Sequence, residues 1–288
     1  MILIDYSQVA ISNIAVQLAM SKGKNVLSIP MVRHMILNSI RGYVHRFKNE
    51  YSNEVVICVD GPDPWRRDIF EQYKAKRREG RESSSTDWES VFGLIHTIKE
   101  EIRDNFPYKV VQLDKVEADD IIAVICKKHH DNKVLIVSGD KDFQQLQKYP
   151  NIDQYSPTKK EFVKTDSPQE YVYEHILKGD TSDGIPNFLS PDDTFVNRIK
   201  QKPVSRKKLA GWIDSLMRGN DPQDFCNEYH YRNFQRNQRL IDFDYIPDDI
   251  ETDIYKQYEK ATVSDRSKIL PYMIKNDLRE LIGKIEEF

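Results

Sequence analysis

The sequence predicts an α/β protein in which a central, mostly parallel β-sheet is flanked by helices and followed by a largely helical C-terminal part. In the first 165 residues, short apolar runs alternate with segments of helical spacing, as in βαβ units. From residue 166 to residue 288, helical spacing dominates. The chain of 288 residues is 39% hydrophobic and 31% charged, which allows a sizeable core and excludes a membrane protein or a largely disordered chain.

Four apolar runs are the predicted strands, and each is short enough for a buried strand of a parallel sheet. Between them, residues 30–47 and 117–128 have helical spacing. Thr86 and Glu89 are spaced as a capping box that opens a helix toward residue 105. The predicted strands cover residues 2–4, 55–59, 110–113 and 134–137.

The C-terminal part contains several predicted helices. Ser167 and Glu170 form a second capping box, and Gly179 is placed to end the helix that this box opens. Another helix is predicted to open at Asp221, before a proline, and residues 250–288 mix charged and apolar residues at helical spacing.

The chain is expected to form one body in the cytoplasm. No apolar run approaches the roughly 18 residues of a membrane-spanning helix, and the N-terminus lacks the features of a signal peptide. No internal repeat and no clear linker divides the sequence. We therefore predict an α/β domain over residues 1–165, a helical domain over residues 166–288 packed on it, and no contact with membranes.

Charge is distributed unevenly along the chain. The net charge is −3, yet residues 64–81 carry +4 and residues 198–210 carry +6, so the remainder carries −13. An acidic body with two basic patches suits a polyanion that is bound through its backbone near a cluster of carboxylates. The alternative interpretation is that both patches are solvated helix faces.

Carboxylates follow three of the predicted strands. Asp5, Asp60 and Asp140 come directly after or close to the ends of these runs, and Asp142 lies two residues farther along. Because the carboxyl ends of parallel strands meet at one edge, these side chains are predicted to share one cleft. A single such aspartate could be a helix cap, but capping does not explain the whole set.

A Glu-Ala-Asp-Asp cluster at 117–120 lies between these strands. Concentrated carboxylates require cations, and oxygen ligands favour Mg²⁺ or Mn²⁺. Two such ions about 3.5 to 4 Å apart could activate water and hold the oxygens of a phosphodiester. Glu117 and Asp119 would point about 200° apart on a regular helix, so they share a site only if Glu117 precedes the first turn.

The first basic patch has a predicted phosphate-facing side. On one continuous helix Arg67, Lys74, Arg78 and Arg81 would fall within about 60° of one another. Tyr73, beside Lys74, would offer a ring on which a base could stack. The alternative is an amphipathic helix that only faces solvent.

Taken together, these residues resemble the 5′-nuclease superfamily, which comprises the flap endonucleases and 5′-to-3′ exonucleases. Within it they are most similar to phage enzymes that remove RNA primers from the 5′ ends of lagging-strand fragments. The similarity covers nearly the whole chain and implies the PIN-like fold of that superfamily. The motifs that carry it are LIDYSQ at 3–8, MVRHMILNS at 31–39, WRRD at 65–68, EADD at 117–120, SGDKDF at 138–143, LKGD at 177–180 and LIDFDYIPD at 240–248.

The resemblance implies a site with two Mg²⁺ ions, for which Mn²⁺ can substitute. It assigns Asp5, Asp60, Glu117, Asp119 and Asp140 to the first metal. It assigns Asp142 and Asp183 to the second metal, with Asp120 and Asp180 in the outer shell. Residues 62–86, here called the arch segment, match the arch through which a free 5′ end passes, which makes Lys74 the phosphate-steering cation and Tyr73 its neighbour.

The sequence departs from the family pattern after Asp183. The family's glycine-rich hairpin, which grips duplex backbone and binds a potassium ion, is replaced by GIPNFLSP at 184–191, which puts a potassium site in doubt. Duplex binding would then shift to the basic run after residue 197. The expected nucleic-acid contacts are Arg66, Arg67, Lys74, Arg78, Arg81, Arg198, Lys200, Arg206, Lys207 and Lys208.

The expected function is a Mg²⁺-dependent 5′-to-3′ exonuclease with flap endonuclease activity. It would act as a monomer on RNA or DNA annealed to DNA, at free 5′ ends and 5′ flaps. Asp119 and Asp140, with Lys74 and Tyr73, are the expected catalytic residues. A single-strand-binding protein or a sliding clamp is a plausible partner for this family, but no motif in the chain identifies either one. Two alternatives remain open: a PIN-type ribonuclease of single-stranded RNA, and a non-catalytic replication accessory that binds branched DNA.

Overall fold

The computed structural model describes residues 1–20 and 27–288. Six strands form one sheet in the order β3-β2-β1-β4-β5-β6. The first five are parallel, whereas β6 is antiparallel to β5. The strands are β1 (Ile2–Asp5), β2 (Val55–Cys58), β3 (Lys109–Val111), β4 (Val134–Val137), β5 (Ile152–Ser156) and β6 (Glu161–Val163).

The register places the carboxyl ends of the central strands at the same level. Ile4 lies opposite Ile57 of β2 on one side and Val137 of β4 on the other. The chain leaves each of these strands toward the same edge, so the residues that follow them are brought together. The predicted mostly parallel sheet is confirmed.

Twelve α-helices surround the sheet in the described part of the chain. A 3₁₀-helix over Lys141–Lys148 follows β4, and further short 3₁₀ turns lie in the C-terminal part. The α-helices are α1 (Tyr6–Met20), α2 (Ile29–Tyr51), α3 (Arg66–Ile69), α4 (Ala75–Glu82), α5 (Trp88–Asn105), α6 (Ala118–Lys128), α7 (Pro168–Lys178), α8 (Arg206–Met217), α9 (Glu228–Ile241), α10 (Asp248–Lys260), α11 (Ile269–Lys275) and α12 (Arg279–Ile282).

The strands are apolar on both faces because helices cover both. Ile2 and Ile4 of β1 belong to a core shared with α1, α2, α5, α11 and α12, whereas Leu3 belongs to a core shared with α6 and α10. This alternation follows from the two-residue period of a strand. A third core joins α7, α8 and α9 to Phe70 and Tyr73 of the arch segment. The helical C-terminal part thus packs on both faces of the sheet and against the arch segment.

Several predicted boundaries differ from the structure. Asp87, not Thr86, caps α5, because its side chain accepts a hydrogen bond from the Ser90 backbone N–H at 3.1 Å. The helix predicted at Asp221 is only the 3₁₀ turn Pro222–Asp224, and α9 begins later with Asn227 as its cap. Strands β5 and β6 were not predicted. Among the described helices, none has the length and apolarity needed to traverse a bilayer.

Candidate active site

Asp5 stands at the centre of the carboxyl edge, at the end of β1. It is only 6% exposed, and the Ser138 hydroxyl donates to its Oδ2 at 2.9 Å while the Gln8 backbone N–H donates to its Oδ1 at 3.1 Å. Burial and the nearby charges of Asp60 and Asp140 raise the pKa of Asp5 to about 7, despite these hydrogen bonds. The carboxylates predicted from separate strands do converge.

Asp60, Asp119 and Asp140 complete this cluster. Asp60 Oδ1 accepts a hydrogen bond from the Ala118 backbone N–H at 2.7 Å, and Asp140 Oδ1 accepts one from the Asp142 N–H at 3.0 Å. The Asp119 side chain makes no hydrogen bond or ion pair with another described residue. Burial, followed by the charges of Asp140 and Asp5, raises the pKa of Asp119 well above its usual value. An anionic Asp119 would therefore require a cation.

Glu117 joins the cluster from just outside α6. Its backbone is extended (φ −88°, ψ 157°) and it caps the helix, so it precedes the first turn as the shared site requires. Its carboxylate lies 2.5 Å from Lys74 Nζ, 2.9 Å from the Tyr73 hydroxyl and 3.0 Å from Arg66 Nη1. Although burial opposes ionisation, Lys74 and Arg66 hold the pKa of Glu117 below its usual value. This carboxylate is therefore anionic at neutral pH.

Asp120 and Arg66 form a buried ion pair behind Glu117. Asp120 is fully buried, and its Oδ2 accepts hydrogen bonds from Trp65 Nε1 and Arg66 Nη1, both at 2.9 Å. Arg66 is 3% exposed and also donates to the Leu240 carbonyl at 2.8 Å. The expected contact between Arg66 and nucleic acid is therefore wrong, because its guanidinium is used inside the fold.

A second polar cluster joins the residues after β4 to α7. Asp142 Oδ1 lies 3.1 Å from His175 Nδ1, and Asp180 Oδ2 lies 3.4 Å from His175 Nε2. One ligand atom from each of the three residues lies within 4.8 Å of the others. Burial opposes protonation of His175, but its hydrogen bonds to Asp142 and Asp180 raise its pKa to about 10. An open groove of about 670 Å³, lined by these three residues and Asp140, leads to this cluster.

His175 was missed in the sequence because it lies 33 residues from Asp142 and in no local metal-binding spacing. The available signal was its place in α7, two residues before the LKGD motif. Asp183 lies nearby but pairs with the arch segment: Lys74 Nζ is 3.5 Å from its Oδ2, and Arg77 also pairs with it.

Lys74 is held in place by both its backbone and its side chain. Its φ of 55° lies in the left-handed region, which is uncommon for a residue with a side chain, and its N–H donates to the Asp183 carbonyl at 2.7 Å. Glu117 and Asp183 raise the pKa of Lys74 against the effect of burial. The ammonium group is thereby kept charged beside the carboxylates.

Tyr73 is 2% exposed, and its hydroxyl lies 2.9 Å from Glu117 Oε2 and 3.1 Å from Asp183 Oδ2. The ring is packed in the core of α7, α8 and α9. The expectation that this ring stacks on a base is therefore wrong. What Tyr73 contributes instead is a hydroxyl that bridges two carboxylates.

The carboxylates fit divalent cations. They supply hard oxygen ligands, burial and then mutual repulsion raise the pKa values of Asp5, Asp119 and Asp140, and the Asp119 side chain has no partner within the described residues. Because like charges at this density are unfavourable without counter-ions, the donor set is the one expected for Mg²⁺ or Mn²⁺.

Two family models match this chain and together cover its whole length. Residues 1–175 match the model of the 5′-3′ exonuclease N-terminal resolvase-like domain, and residues 166–288 match the model of the T4 RNase H C-terminal domain. The chain belongs to the 5′-3′ exonuclease family. It is 37% identical to the ribonuclease H of Enterobacteria phage T4, over 99% of this chain and 95% of that protein. The resemblance inferred from the motifs is confirmed.

Two solved structures share the fold of this 5′-3′ exonuclease. A phage T5 protein co-crystallised with metal ions has a TM-score of 0.62 and 15% identity, over 99% of this chain and 98% of that one. A complex of the T5 flap endonuclease with DNA and metal ions has a TM-score of 0.57 and 14% identity, over 99% and 97%. The predicted fold class is confirmed, and the family is one of hydrolytic nucleases.

The arch segment of this 5′-3′ exonuclease is not one continuous helix. Lys74 lies between α3 and α4, so the predicted common face of Arg67, Lys74, Arg78 and Arg81 does not exist as a helix face. Arg67, Lys74 and Arg81 nevertheless line one pocket, whereas Arg78 is exposed outside it. The backbone break turns Lys74 toward the carboxylates.

The second basic patch lies on the surface near the arch segment. Arg198 pairs with Glu79 of α4 at 2.8 Å, and Lys76 Nζ lies 4.5 Å from the centre of the Phe195 ring. The other basic residues of this patch are exposed, and three of them lie in the first turn of α8. They are Lys200, Lys202, Arg206, Lys207 and Lys208.

Proposed function

We propose that this 5′-3′ exonuclease hydrolyses phosphodiesters of RNA or DNA annealed to DNA, from free 5′ ends and at 5′ flaps. We further propose that it removes RNA primers during phage DNA replication. The observation that carries the proposal is the convergence of Asp5, Asp60, Asp119 and Asp140 at one edge of the sheet beside Lys74. A protein that only binds DNA has no need for mutually repelling acids in one cleft.

Two divalent ions, Mg²⁺ in the cell with Mn²⁺ able to replace it, would be held by this edge. Asp5, Asp60, Glu117, Asp119 and Asp140 would hold the first ion. Asp142 and Asp183 would hold the second ion, and Asp120 and Asp180 would orient these ligands from behind. When bound, the ions supply Lewis-acid activation of water and stabilisation of the charge on the phosphoryl oxygens.

The chain itself contributes a fixed cation and its supports. Lys74 places an ammonium group against Glu117 and Asp183, where it can stabilise negative charge that develops on the departing oxygen. Tyr73, proposed from the sequence as catalytic, acts here as a positioning residue through its hydroxyl. Asp119 and Asp140 stay the proposed catalytic carboxylates.

Nucleic acid would contact both basic regions. The T5 flap endonuclease has been solved with DNA and metal ions, which supports a nucleic-acid substrate for its relative. Arg67 and Arg81 would contact the 5′ strand within the arch segment, with Arg78 at its outer side. Arg198, Lys200, Arg206, Lys207 and Lys208 would contact phosphates of the duplex.

The setting of the reaction is proposed from the family. The enzyme would act as a monomer in the host cytoplasm, where phage DNA is replicated. A single-strand-binding protein or a sliding clamp would be its candidate partner.

The deciding experiment incubates the protein with a 5′-labelled RNA-primed DNA duplex, a 5′-flap DNA and a single-stranded RNA, with Mg²⁺ or with EDTA. We expect Mg²⁺-dependent cleavage of the duplex and the flap. The matched variant Asp119→Asn should bind the flap DNA but not cut it. Cleavage confined to single-stranded RNA would favour a PIN-type ribonuclease, and binding without any cleavage would favour a non-catalytic accessory.

A further inference from the structure

A third basic segment, outside both basic patches, lies on α9. Residues 229–241 contain three arginines and no acid, whereas a solvated helix face usually carries charges of both signs. The spacing of four and then three residues places Arg232, Arg236 and Arg239 on one face of α9. This face borders a groove of about 470 Å³, here called the α9 groove, which Phe70 of the arch segment also lines.

The α9 groove is separate from the two cavities that border the carboxylates. Among the described residues, it shares no lining residue with the groove that leads to His175 or with the pocket that Lys74 lines. Ile69 and Phe70 place it beside the arch segment. A ligand in the α9 groove would therefore contact the arch segment without reaching the carboxylates.

Arg236 forms a fixed floor for the α9 groove. Its side chain is buried, donates to the Pro186 carbonyl at 3.0 Å and pairs with Asp192. Asp192, the one acid of the described lining, also pairs with Arg232 at 2.6 Å. Because one carboxylate faces two guanidinium groups, and Arg239 adds a third, the α9 groove keeps an excess of positive charge.

Arg239 and Tyr245 are the open contacts of the α9 groove. Arg239 is exposed and has no acidic partner within the described residues. Tyr245 belongs to the LIDFDYIPD motif at 240–248, to which the proposed reaction gives no role, and it is 46% exposed. In the described part of the chain, its ring packs on no other ring and its hydroxyl makes no hydrogen bond. Both side chains are thus available to a ligand.

The α9 groove has the chemistry of a site for a single nucleic-acid strand. A guanidinium group binds phosphate through paired hydrogen bonds, and an exposed aromatic ring stacks on a base whatever its identity. Arg232 and Arg239 are seven residues apart, which separates their backbones by about 10 Å along the helix axis. A stacked strand advances by about 3.4 Å per nucleotide, so these cations can reach phosphates several nucleotides apart. Cations spread over this length favour a strand over a free phosphate ion.

These observations lead to an inference that rests on the nuclease function proposed above. We infer that the α9 groove binds the single-stranded arm of the uncut strand at a forked substrate. Arg232 and Arg239 hold its phosphates, and Tyr245 stacks on one of its bases. The 5′ strand has a separate place, because Arg67 and Arg81 line a different pocket. The two arms of a fork would thus be held in different cavities beside the arch segment.

Fluorescence anisotropy in Ca²⁺ without Mg²⁺ tests the α9 groove with two labelled DNAs. One is a fork with a 5′ arm and a 3′ arm, and the other has the same duplex and 5′ arm but lacks the 3′ arm, which belongs to the uncut strand. We expect wild type to bind the fork about thirtyfold more tightly than the second DNA. Tyr245→Ala should bind the fork about tenfold more weakly than wild type, whereas Tyr245→Phe should bind it as wild type does.

The salt dependence of binding tests the phosphate contact of Arg239. In Arg239→Ala, the fall of the logarithm of the fork association constant with the logarithm of salt concentration should become shallower by about 0.7, the value for one phosphate of a single strand. Neither Arg239→Ala nor Tyr245→Ala should change binding of the DNA without the 3′ arm.

Lys256→Ala is the matched control, because Lys256 is an exposed cation of α10 that does not line the α9 groove. It should bind both DNAs as wild type does. Equal binding of the two DNAs by wild type would overturn the inference. So would fork binding that Arg239→Ala and Tyr245→Ala leave unchanged, or losses of equal size on both DNAs. Cleavage of the fork in Mg²⁺ is measured separately. Its absence in wild type would reject the nuclease function, whereas the binding data would still decide the role of the α9 groove.

Discussion

At the scale of single residues, the site depends on the ion pair between Glu117 and Lys74, which holds both side chains in position. Glu117 is the point at which Arg66, Tyr73 and Lys74 meet, and Lys74 in turn reaches Asp183. A carboxylate surrounded by three donors stays anionic when buried. The same contacts hold the Lys74 ammonium in a position that its flexible side chain would not adopt alone.

Lys74→Ala is predicted to slow the chemical step far more than it weakens binding. Loss of one preorganised group that stabilises developing charge typically costs about 10²- to 10³-fold in rate. The rate of single-turnover cleavage of a 5′-flap DNA measures the chemical step. Fluorescence anisotropy of the same DNA in Ca²⁺ measures binding. Lys256→Ala, which removes an exposed cation of α10 outside both basic patches, is the control. A wild-type single-turnover rate for Lys74→Ala would reject the role.

The raised pKa of Asp5 predicts how stability depends on pH. Its folded pKa of about 7 exceeds the ordinary value of 3.8, so between roughly pH 4 and pH 7 the folded chain binds more protons than the unfolded chain. The free energy of unfolding of the metal-free protein should therefore fall as pH rises through this window. His175, with a pKa of about 10, adds stability that is lost above roughly pH 6.5.

Urea unfolding in EDTA at several pH values measures this dependence. Asp5→Asn removes one titrating group and should give a shallower fall than wild type between pH 5 and pH 7. Identical slopes for the two proteins would mean that Asp5 does not carry the effect.

At the scale of elements, α3 ties the arch segment to both halves of the molecule. Arg66 in this one-turn helix pairs with Glu117 and Asp120 at the start of α6 and donates to the last turn of α9. The short helix therefore sets where the following residues, Tyr73 and Lys74, enter the site.

Arg66→Ala is predicted to destabilise the fold by about 3 to 5 kcal/mol, because it leaves Asp120 as a buried charge without its main partner. Arg218→Ala is the control, since Arg218 is 71% exposed in an i, i+4 pair with Asp214 and should cost less than about 1 kcal/mol. Urea unfolding in EDTA compares the two. Equal losses of unfolding free energy in the two variants would show that the buried ion pair stabilises the fold no more than the exposed pair does.

The elements also show what the sequence could and could not predict. Asp5, Asp60 and Asp140 were predictable because parallel strands end at one edge, and Glu117 because helix geometry required it to precede α6. His175 was not predictable, because its partner Asp142 is far from it in the sequence and close to it only in the folded structure. Arg66 was mistaken for a nucleic-acid contact because a basic residue does not reveal its burial. β5 was missed because polar residues interrupt its apolar pattern.

At the scale of the whole molecule, repulsion within the carboxylate cluster links metal binding to stability. An ion that binds only the folded chain stabilises it by about 2.7 kcal/mol when its concentration is one hundred times its Kd. We predict that Mg²⁺ raises the melting temperature, and raises it more at pH 7.5 than at pH 6, where protons already neutralise part of the cluster.

Thermal unfolding with Mg²⁺ or EDTA at the two pH values measures this linkage. Asp119→Asn is the matched variant and should show a smaller increase, because one ligand is lost. An increase of the same size in both proteins would place the stabilising ion elsewhere.

Arg66 and Leu240, which share a hydrogen bond, are 174 residues apart in the sequence. During synthesis, Arg66 therefore leaves the ribosome long before its partner does. A ribosome that has released only the first 165 residues has already exposed Asp5, Asp60, Asp119 and Asp140, but neither Asp183 nor the last turn of α9. The growing polypeptide would thus hold its acids without the groups that align them. We therefore expect the site to be aligned only after α9 has left the ribosome.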